Sequence, residues 1–380
     1  MYYFDNAATT VQKPPAVPQA VYDALSSGTL GNPSRGTHDY SLQAYRVMLQ
    51  AKDLIKSLFH AGDIYEVAFA HNSTMALNMV LKGMIEPGDH VLTTTWEHNA
   101  VLRPLYQLEH QGVTVDFISS EPRTGTLRYE ELEQKLRPET KIVVCNYASN
   151  VTGNVIDIER MKAFCRDHSL MLVVDASQAA GAYPIDMTDG MITALCFTGH
   201  KSLYGPGGTG GICIRNDAPV RPYITGGDGV HSFDHEQPGT IPEVFEAGTA
   251  NIAGIAGLAA GVQWLLAQGI ENVARHHDEL GKLFISELRN IPNLTVYGDF
   301  SYPRVGVYAL NIGDADSALV SDILWNRYKM ATRSGFHCAP LMHEQLHTAR
   351  RGAVRFSFSQ FTTERDIAAA IRVLRDIAAM

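Results

Sequence analysis

The sequence has no Cys-x-x-Cys pair, and its five cysteines (Cys145, Cys165, Cys196, Cys213, Cys338) are odd in number and widely spaced. That excludes a disulfide framework and a thiolate zinc site, so no metal is expected; it suits a reducing cytosol, where the chain is expected to reside. Positive charge is also short: 31 Lys and Arg stand against 40 Asp and Glu, a formal net charge of −9 at pH 7. Nucleic acid demands clustered basic residues and is not expected as a partner. Long apolar runs are few. Met1 to Asn6 lacks the basic and apolar stretches of a signal peptide. Only Ile252 to Ile270 is free of charge, and Gly257-xxx-Gly261 within it has a spacing used by membrane helix dimers. Its Ala and Gly content, with Gln263 and Gln268, points to a buried core helix instead, and no membrane association is expected. Internal repeats, low-complexity segments and long linkers are all missing.

What is present is a chain of 380 residues, 45% hydrophobic and 19% charged, which is the composition of a globular enzyme rather than a disordered one. Short apolar runs at Val67–Ala70, His90–Thr93, Val113–Ile118, Lys141–Asn146, Leu170–Asp175 and Gly211–Arg215 read as strands. Helical spacing at Ser41–Phe59, from Ser73 or Thr74 as cap to Lys82, and at Asn99–His110 falls between them. This alternation predicts an α/β fold whose mostly parallel sheet is covered on both faces. After about residue 250, helices at Ile252–Gln268 and Ile270–Arg289 precede strands at Leu294–Tyr297, Val305–Asn311 and Val354–Ser359 and a last helix, Glu364–Ala379. The expected division is a large domain over residues 16–255 and a smaller α+β domain formed by 1–15 with 256–380.

Three local patterns carry chemistry. In Arg333-Ser334-Gly335-Phe336-His337-Cys338-Ala339-Pro340, one cysteine lies beside groups that favour a thiolate, which is the nucleophilic form; a buried core filler is the bland alternative. Thr198-Gly199-His200-Lys201-Ser202 offers a lysine suited to a carbonyl cofactor, provided its amine is deprotonated; a surface lysine before a flexible loop is the alternative. Asp175 ends an apolar strand, at the edge where open α/β sheets bind ligands, and a buried carboxylate there calls for a cationic partner such as a protonated pyridine nitrogen. Lys201, Asp175 and a helix N-terminus for phosphate together describe a pyridoxal phosphate site. Two other matches are discounted. Gly205, Gly207 and Gly210 satisfy G-x-G-x-x-G, but the strand follows instead of preceding. His343-Glu344-x-x-His347 matches a zinc-hydrolase signature without a third histidine downstream, and stays a remote alternative.

In this order, from Tyr3-Phe4-Asp5-Asn6-Ala7-Ala8-Thr9-Thr10 to Arg355, the motifs resemble those of the cysteine desulfurase and selenocysteine lyase family. That family lies in the class V aminotransferase branch of fold-type I pyridoxal phosphate enzymes. Gly335–Ala339 resembles the group with a short cysteine loop. The resemblance implies that Lys201 binds the cofactor aldehyde, Asp175 the ring nitrogen and Gln178 the ring hydroxyl. His98, in Glu97-His98-Asn99-Ala100, stacks on the ring and moves protons. Ser73, Thr74, Thr198 and His200 hold the phosphate, Thr249 reaches the phosphate of the other subunit in a homodimer, and Asn150 and Arg355 hold the substrate carboxylate. Asn32-Pro33-Ser34-Arg35-Gly36-Thr37-His38 resembles the substrate-access loop, through Asn32 and His38. His98 as a helix cap, Asn150 as a turn residue and Arg355 on a solvated strand face are the plain alternatives. The chain departs from the family at Ala70 and Asn72, where a threonine and a glycine are usual; Asn is expected to keep the turn by tolerating a left-handed backbone.

The implied reaction takes sulfur from L-cysteine, leaving L-alanine and a persulfide on Cys338 for an acceptor protein, such as an iron-sulfur scaffold or a tRNA-modifying protein. L-Selenocysteine is the alternative substrate, and a C–S lyase, racemase or transaminase that ignores the thiol is the alternative chemistry. A non-catalytic binding protein on the same fold is disfavoured by intact Lys201, Asp175 and Arg355.

Overall fold

The computed structural model describes residues 1–33, 36–229 and 232–380. Its strands are β1 (Tyr2–Tyr3), β2 (Tyr65–Ala70), β3 (His90–Thr94), β4 (Thr114–Ile118), β5 (Thr140–Asn146), β6 (Met171–Asp175), β7 (Ala194–Thr198), β8 (Gly210–Arg215), β9 (Leu294–Tyr297), β10 (Val307–Ile312), β11 (Met330–Ala331) and β12 (Val354–Ser357). The helices are α1 (Ala16–Ser26), α2 (Asp39–Leu58), α3 (Ser73–Met84), α4 (Asn99–Glu109), α5 (Glu131–Lys135), α6 (Ile158–Asp167), α7 (Ile252–Gln268), α8 (Ile270–Leu288), α9 (Ser317–Tyr328), α10 (Pro340–Gln345) and α11 (Glu364–Ala378).

The main sheet runs β2-β8-β7-β6-β5-β3-β4. Strands β7, β6, β5, β3 and β4 are mutually parallel, and β8 alone runs against its neighbours. Side chains alternate strictly between two cores, as a pleat of period two requires. Val143, Cys145, Leu172, Val174, Leu195 and Phe197 enter one core; Ile142, Val144, Val173, Ala194 and Cys196 enter the other. Both faces are dry, which is why these strands read as unbroken apolar runs. This is the α/β architecture with a mostly parallel sheet that the sequence implied.

A second, antiparallel sheet, β12-β10-β9, packs on α8, α9 and α11 around Phe284, Tyr308, Leu324, Phe356 and Leu374. Strand β10 starts at Val307 rather than Val305, because Val305 donates its N–H to Gly153 instead of to a strand neighbour. The N-terminal residues tie the two sheets together. Tyr2 and Tyr3 pair with β11, and Phe4 is fully buried in the second core. Thr9 and Thr10 then bond the His200 carbonyl beside Lys201.

Among the described residues no single helix is long and apolar enough to cross a membrane. Helix α7 packs on α1 and α2 and buries Ile255, Leu258, Val262 and Leu265. Its small-residue spacing serves close approach: a Cβ at Gly257 would meet Val21 and Pro206, and one at Gly261 would strike the Leu203 carbonyl.

Candidate active site

Parallel strands deliver their last residues to one edge. The register sets Asn146 beside Asp175 and Asp175 beside Cys196, while β7 ends at Thr198 and leads through Gly199 and His200 into Lys201. Asp175 is 2% exposed, and its Oδ1 accepts from the Ser177 backbone N–H and hydroxyl, which fixes the carboxylate's orientation. The Lys201 amine is pushed down to about 8, chiefly by burial; Asp175 and Cys338 oppose that shift, and Arg355 and Arg333 add to it. His98 is pushed down to about 4, again chiefly by burial and then by Lys201, with Asp175, Arg355 and Arg333 also acting on it. Lys201, Asp175, His98, Arg355 and Cys338 therefore share one electrostatic site, although they are spread along the sequence from position 98 to position 355.

His98 combines the cap reading with a place in the site. Its Nδ1 accepts from the Ala100 N–H at 3.0 Å as N-cap of α4, which leaves the ring proton on Nε2. Glu97 is fully buried behind it, bonded to Thr94 Oγ1 at 2.6 Å and the Asn146 N–H at 3.0 Å. Burial and the neighbouring Asp175 charge push its carboxyl up to about 8, so it is mostly neutral at pH 7. Sequence reasoning passed over Glu97 as a mere neighbour of His98.

Arg355 is 2% exposed, and burial lowers its guanidinium to about 10 against the opposing Asp5 charge. Nη2 bonds Asp5 at 3.1 Å and Nη1 bonds the Asn150 carbonyl at 3.1 Å, while Nε is buried without a partner. Asp5, 350 residues away, is a second residue that no local pattern marked as a site member. Asn150 donates from Nδ2 to the His337 carbonyl at 2.7 Å, so it joins the arginine to the cysteine loop.

That loop is strained. Gly335, His337 and Cys338 have φ of 97°, 50° and 55°, a region that costs a non-glycine residue about 1–2 kcal/mol. The Asn99 N–H donates to the Cys338 carbonyl at 2.7 Å, and the Ala353 N–H to the Gly335 carbonyl at 3.1 Å. Cys338 is exposed, whereas the other four cysteines are buried. Burial raises Cys165 and Cys213 to about 12 and pushes Cys145 and Cys196 well up, which makes all four inert as nucleophiles. One cleft is shared by Thr74 on the first turn of α3, His98, Arg103 and Cys338.

The start of α3 differs from expectation. Asn72, not Ser73 or Thr74, caps α3, accepting from the Met75 N–H at 2.9 Å. Its φ is −172°, plain extended backbone, so a left-handed turn is not how Asn serves there. The His200 ring bonds Thr9 Oγ1 at 3.1 Å, and Gln178 Nε2 bonds the Ala7 carbonyl at 3.1 Å. His38 caps α2 through Ser41. Asn32 precedes Ser34 and Arg35, which lie outside the described residues. Thr249 sits in a separate cleft with Phe69, Ala70, His71 and Thr209, which Lys201, Asp175 and Cys338 do not line.

The residues present fit a pyridoxal phosphate. Thr198 Oγ1 is buried with no partner at the end of β7, which leads to an amine that burial lowers to about 8, and the Asp175 carboxylate is held in orientation by Ser177, as a ring nitrogen's partner must be. The first turn of α3, with Ser73 and Thr74, supplies N–H groups for phosphate.

A family model described as Aminotransferase class-V matches residues 2–369. A cysteine desulfurase of Escherichia coli O157:H7 is 31% identical over 351 residues, which is 90% of this chain and 85% of that protein. A probable cysteine desulfurase of Pyrococcus abyssi is 28% identical over 99% of this chain and 94% of its own. The apo structure of a cysteine desulfurase from Thermococcus onnurineus superposes with a TM-score of 0.91 at 28% identity, covering 100% of this chain and 94% of that one.

Proposed function

The chain belongs to the class-V aminotransferases, and on that premise we propose that it is a pyridoxal phosphate-dependent cysteine desulfurase. One observation carries the reading: the single exposed cysteine lies within electrostatic reach of the buried lysine, whose amine burial lowers to about 8. A lyase, racemase or transaminase has no need of a thiol there.

When bound, the cofactor supplies an electron sink for the substrate's α-carbon. Lys201 would hold its aldehyde and, once freed by the substrate amine, take the α-proton. Asp175 would keep the ring nitrogen protonated, and His98, whose proton is on Nε2, would lie against the ring and move protons. Thr198 and the first turn of α3, with Ser73 and Thr74, would hold the phosphate. Arg355 Nε faces no protein partner and is suited to a substrate carboxylate. The Cys338 thiolate attacks the substrate sulfur: an S–S bond forms, the Cβ–S bond breaks, and its electron pair stays with carbon. Protonation then gives L-alanine, Cys338 carries a persulfide, and no outside oxidant or reductant enters. The persulfide passes to an acceptor protein. A thiol that must stay free requires a reducing compartment, which is the basis for assigning the enzyme to the cytoplasm.

Incubation of cofactor-loaded protein with L-cysteine should yield L-alanine and persulfide sulfur in equal amounts, and parallel incubation with L-selenocysteine ranks the two substrates. Pyruvate and ammonia as the main products would contradict the reading.

The proposal includes a homodimer with shared sites. Tyr22 and Leu25 of α1 and Leu42, Tyr45 and Leu49 of α2 expose apolar side chains that a twofold partner would cover, and Thr249 lies away from its own Lys201. Lys201→Ala and Thr249→Arg are each expected to be inactive. Mixed dimers should regain activity, because one site then carries both lesions and the other neither. Proven subunit exchange without recovery would rule out a shared site.

A further inference from the structure

The His343-Glu344-x-x-His347 match has a different use. Helix α10 stops at Gln345, and His347 lies beyond it with φ of 57°, so the two histidines share no helical face. Among the described residues no group of three or more His, Cys, Asp or Glu is placed to hold a metal. His343 is instead fully buried against His337, the residue before Cys338, with ring centroids 5.4 Å apart and planes at 24°.

Three polar contacts run through these rings. His343 Nδ1 is 2.7 Å from Thr348 Oγ1, His343 Nε2 is 3.2 Å from His337 Nδ1, and His337 Nε2 is 3.3 Å from the Arg333 carbonyl. A carbonyl only accepts, so His337 Nε2 carries the proton. Burial holds both rings neutral, His343 at about 4 and His337 well below its usual value. His337 Nδ1 is then bare and accepts from His343 Nε2–H, and His343 Nδ1 accepts from the Thr348 hydroxyl. The opposite tautomers would point a bare nitrogen at the Arg333 carbonyl. Only one direction satisfies every atom.

We propose that Thr348, His343 and His337 form a one-way hydrogen-bond chain that holds the strained cysteine loop in shape, and that His343 is a positioning residue for Cys338. The chain ends on the Arg333 carbonyl, which also accepts the Arg355 N–H at 2.7 Å. It therefore ties the thiol-bearing loop to the strand that carries the carboxylate-binding arginine. A left-handed backbone at both His337 and Cys338 persists only where surroundings over-determine it, and this chain, with the Asn99 and Asn150 bonds, does so. The proposal rests on Cys338 being the sulfur acceptor.

The test compares full-length, cofactor-loaded wild type, His343→Leu and His343→Gln. Leucine fills the space without donating, whereas the glutamine amide keeps a donor toward His337 Nδ1. Measured are KM for L-cysteine and kcat for alanine formation, the visible absorbance change on adding L-cysteine, and the rate at which iodoacetamide alkylates Cys338 without substrate. His343→Leu should lower kcat about ten- to a hundredfold through thiol misplacement, with KM within about twofold and the absorbance change retained. The freed loop should alkylate about threefold faster or more, because access governs thiol reactivity. His343→Gln should recover most of both. Wild-type kcat and alkylation in the leucine variant, or equal impairment in both variants at wild-type Tm, would overturn the proposal. Should His343→Leu not fold, Thr348→Val must show the same pattern in weaker form, and a silent Thr348→Val overturns it. If wild type itself forms no alanine, the desulfurase reading fails while the alkylation comparison still decides the chain's role.

Discussion

Cys338→Ser is expected to lower alanine formation from L-cysteine by roughly three orders of magnitude, about 4 kcal/mol of barrier at 1.4 kcal/mol per tenfold. A serine hydroxyl is a poor nucleophile toward sulfur and forms no persulfide. Substrate should still bind with near-normal affinity, since Lys201, Asn150 and Arg355 are untouched, and the absorbance change on adding L-cysteine should persist. Alanine variants of Cys145, Cys165, Cys196 and Cys213 should retain turnover wherever they fold, because burial keeps those thiols protonated and out of reach. Steady-state alanine release read beside substrate titration separates the two effects. Wild-type release of alanine by Cys338→Ser would make the protein a thiol-independent lyase.

Lys201→Ala should have the other large effect, a loss of at least about a thousandfold, since one amine serves as both cofactor anchor and base. The chain offers an internal comparison. Burial also lowers Lys13 to about 8, yet its Nζ is engaged by Thr10 Oγ1 at 2.6 Å and the His200 carbonyl at 2.9 Å. Borohydride reduction followed by peptide mapping should place the cofactor on Lys201 alone. The sign of the pH dependence follows from the lowered amine. Lys201 is mostly protonated below about 8 and free above it, so cofactor capture by stripped protein should accelerate as pH rises through that value. An unperturbed lysine would delay the rise to about 10.4. Label on Lys13, or capture that accelerates only near the higher value, would contradict the assignment.

The sheet was legible because its strands are buried on both faces, and an unbroken apolar run such as Lys141–Asn146 announces that. Ala194–Thr198 went unread although Leu195 and Phe197 alternate there with Ala194, Cys196 and Thr198, because a run of only five residues is strand or loop until β6 and β8 are seen on either side. Lys201, Asp175 and Cys338 stood out because each sits in a composition that needs explaining. Asp5 did not, since its ion pair with Arg355 depends on the N-terminal residues threading between the two sheets. Glu97 was hidden by the more eye-catching histidine beside it. His343 was visible for the wrong reason, because a zinc spacing is a helix-face argument and α10 is too short to make one. At Asn72 the expected left-handed turn gave way to a side-chain cap, which the Asn-Ser-Thr order allows equally well.

The account's central claim is that substrate sulfur moves onto Cys338, and one measurement reads it directly. Cofactor-loaded protein is given L-cysteine carrying a heavy sulfur isotope, quenched with an alkylating agent before any acceptor is added, and digested for mass spectrometry. The account predicts one additional heavy sulfur on the Cys338 peptide, none on the other four cysteines, and its removal by a thiol reductant. Alanine appearing while the Cys338 peptide stays unlabelled would contradict it.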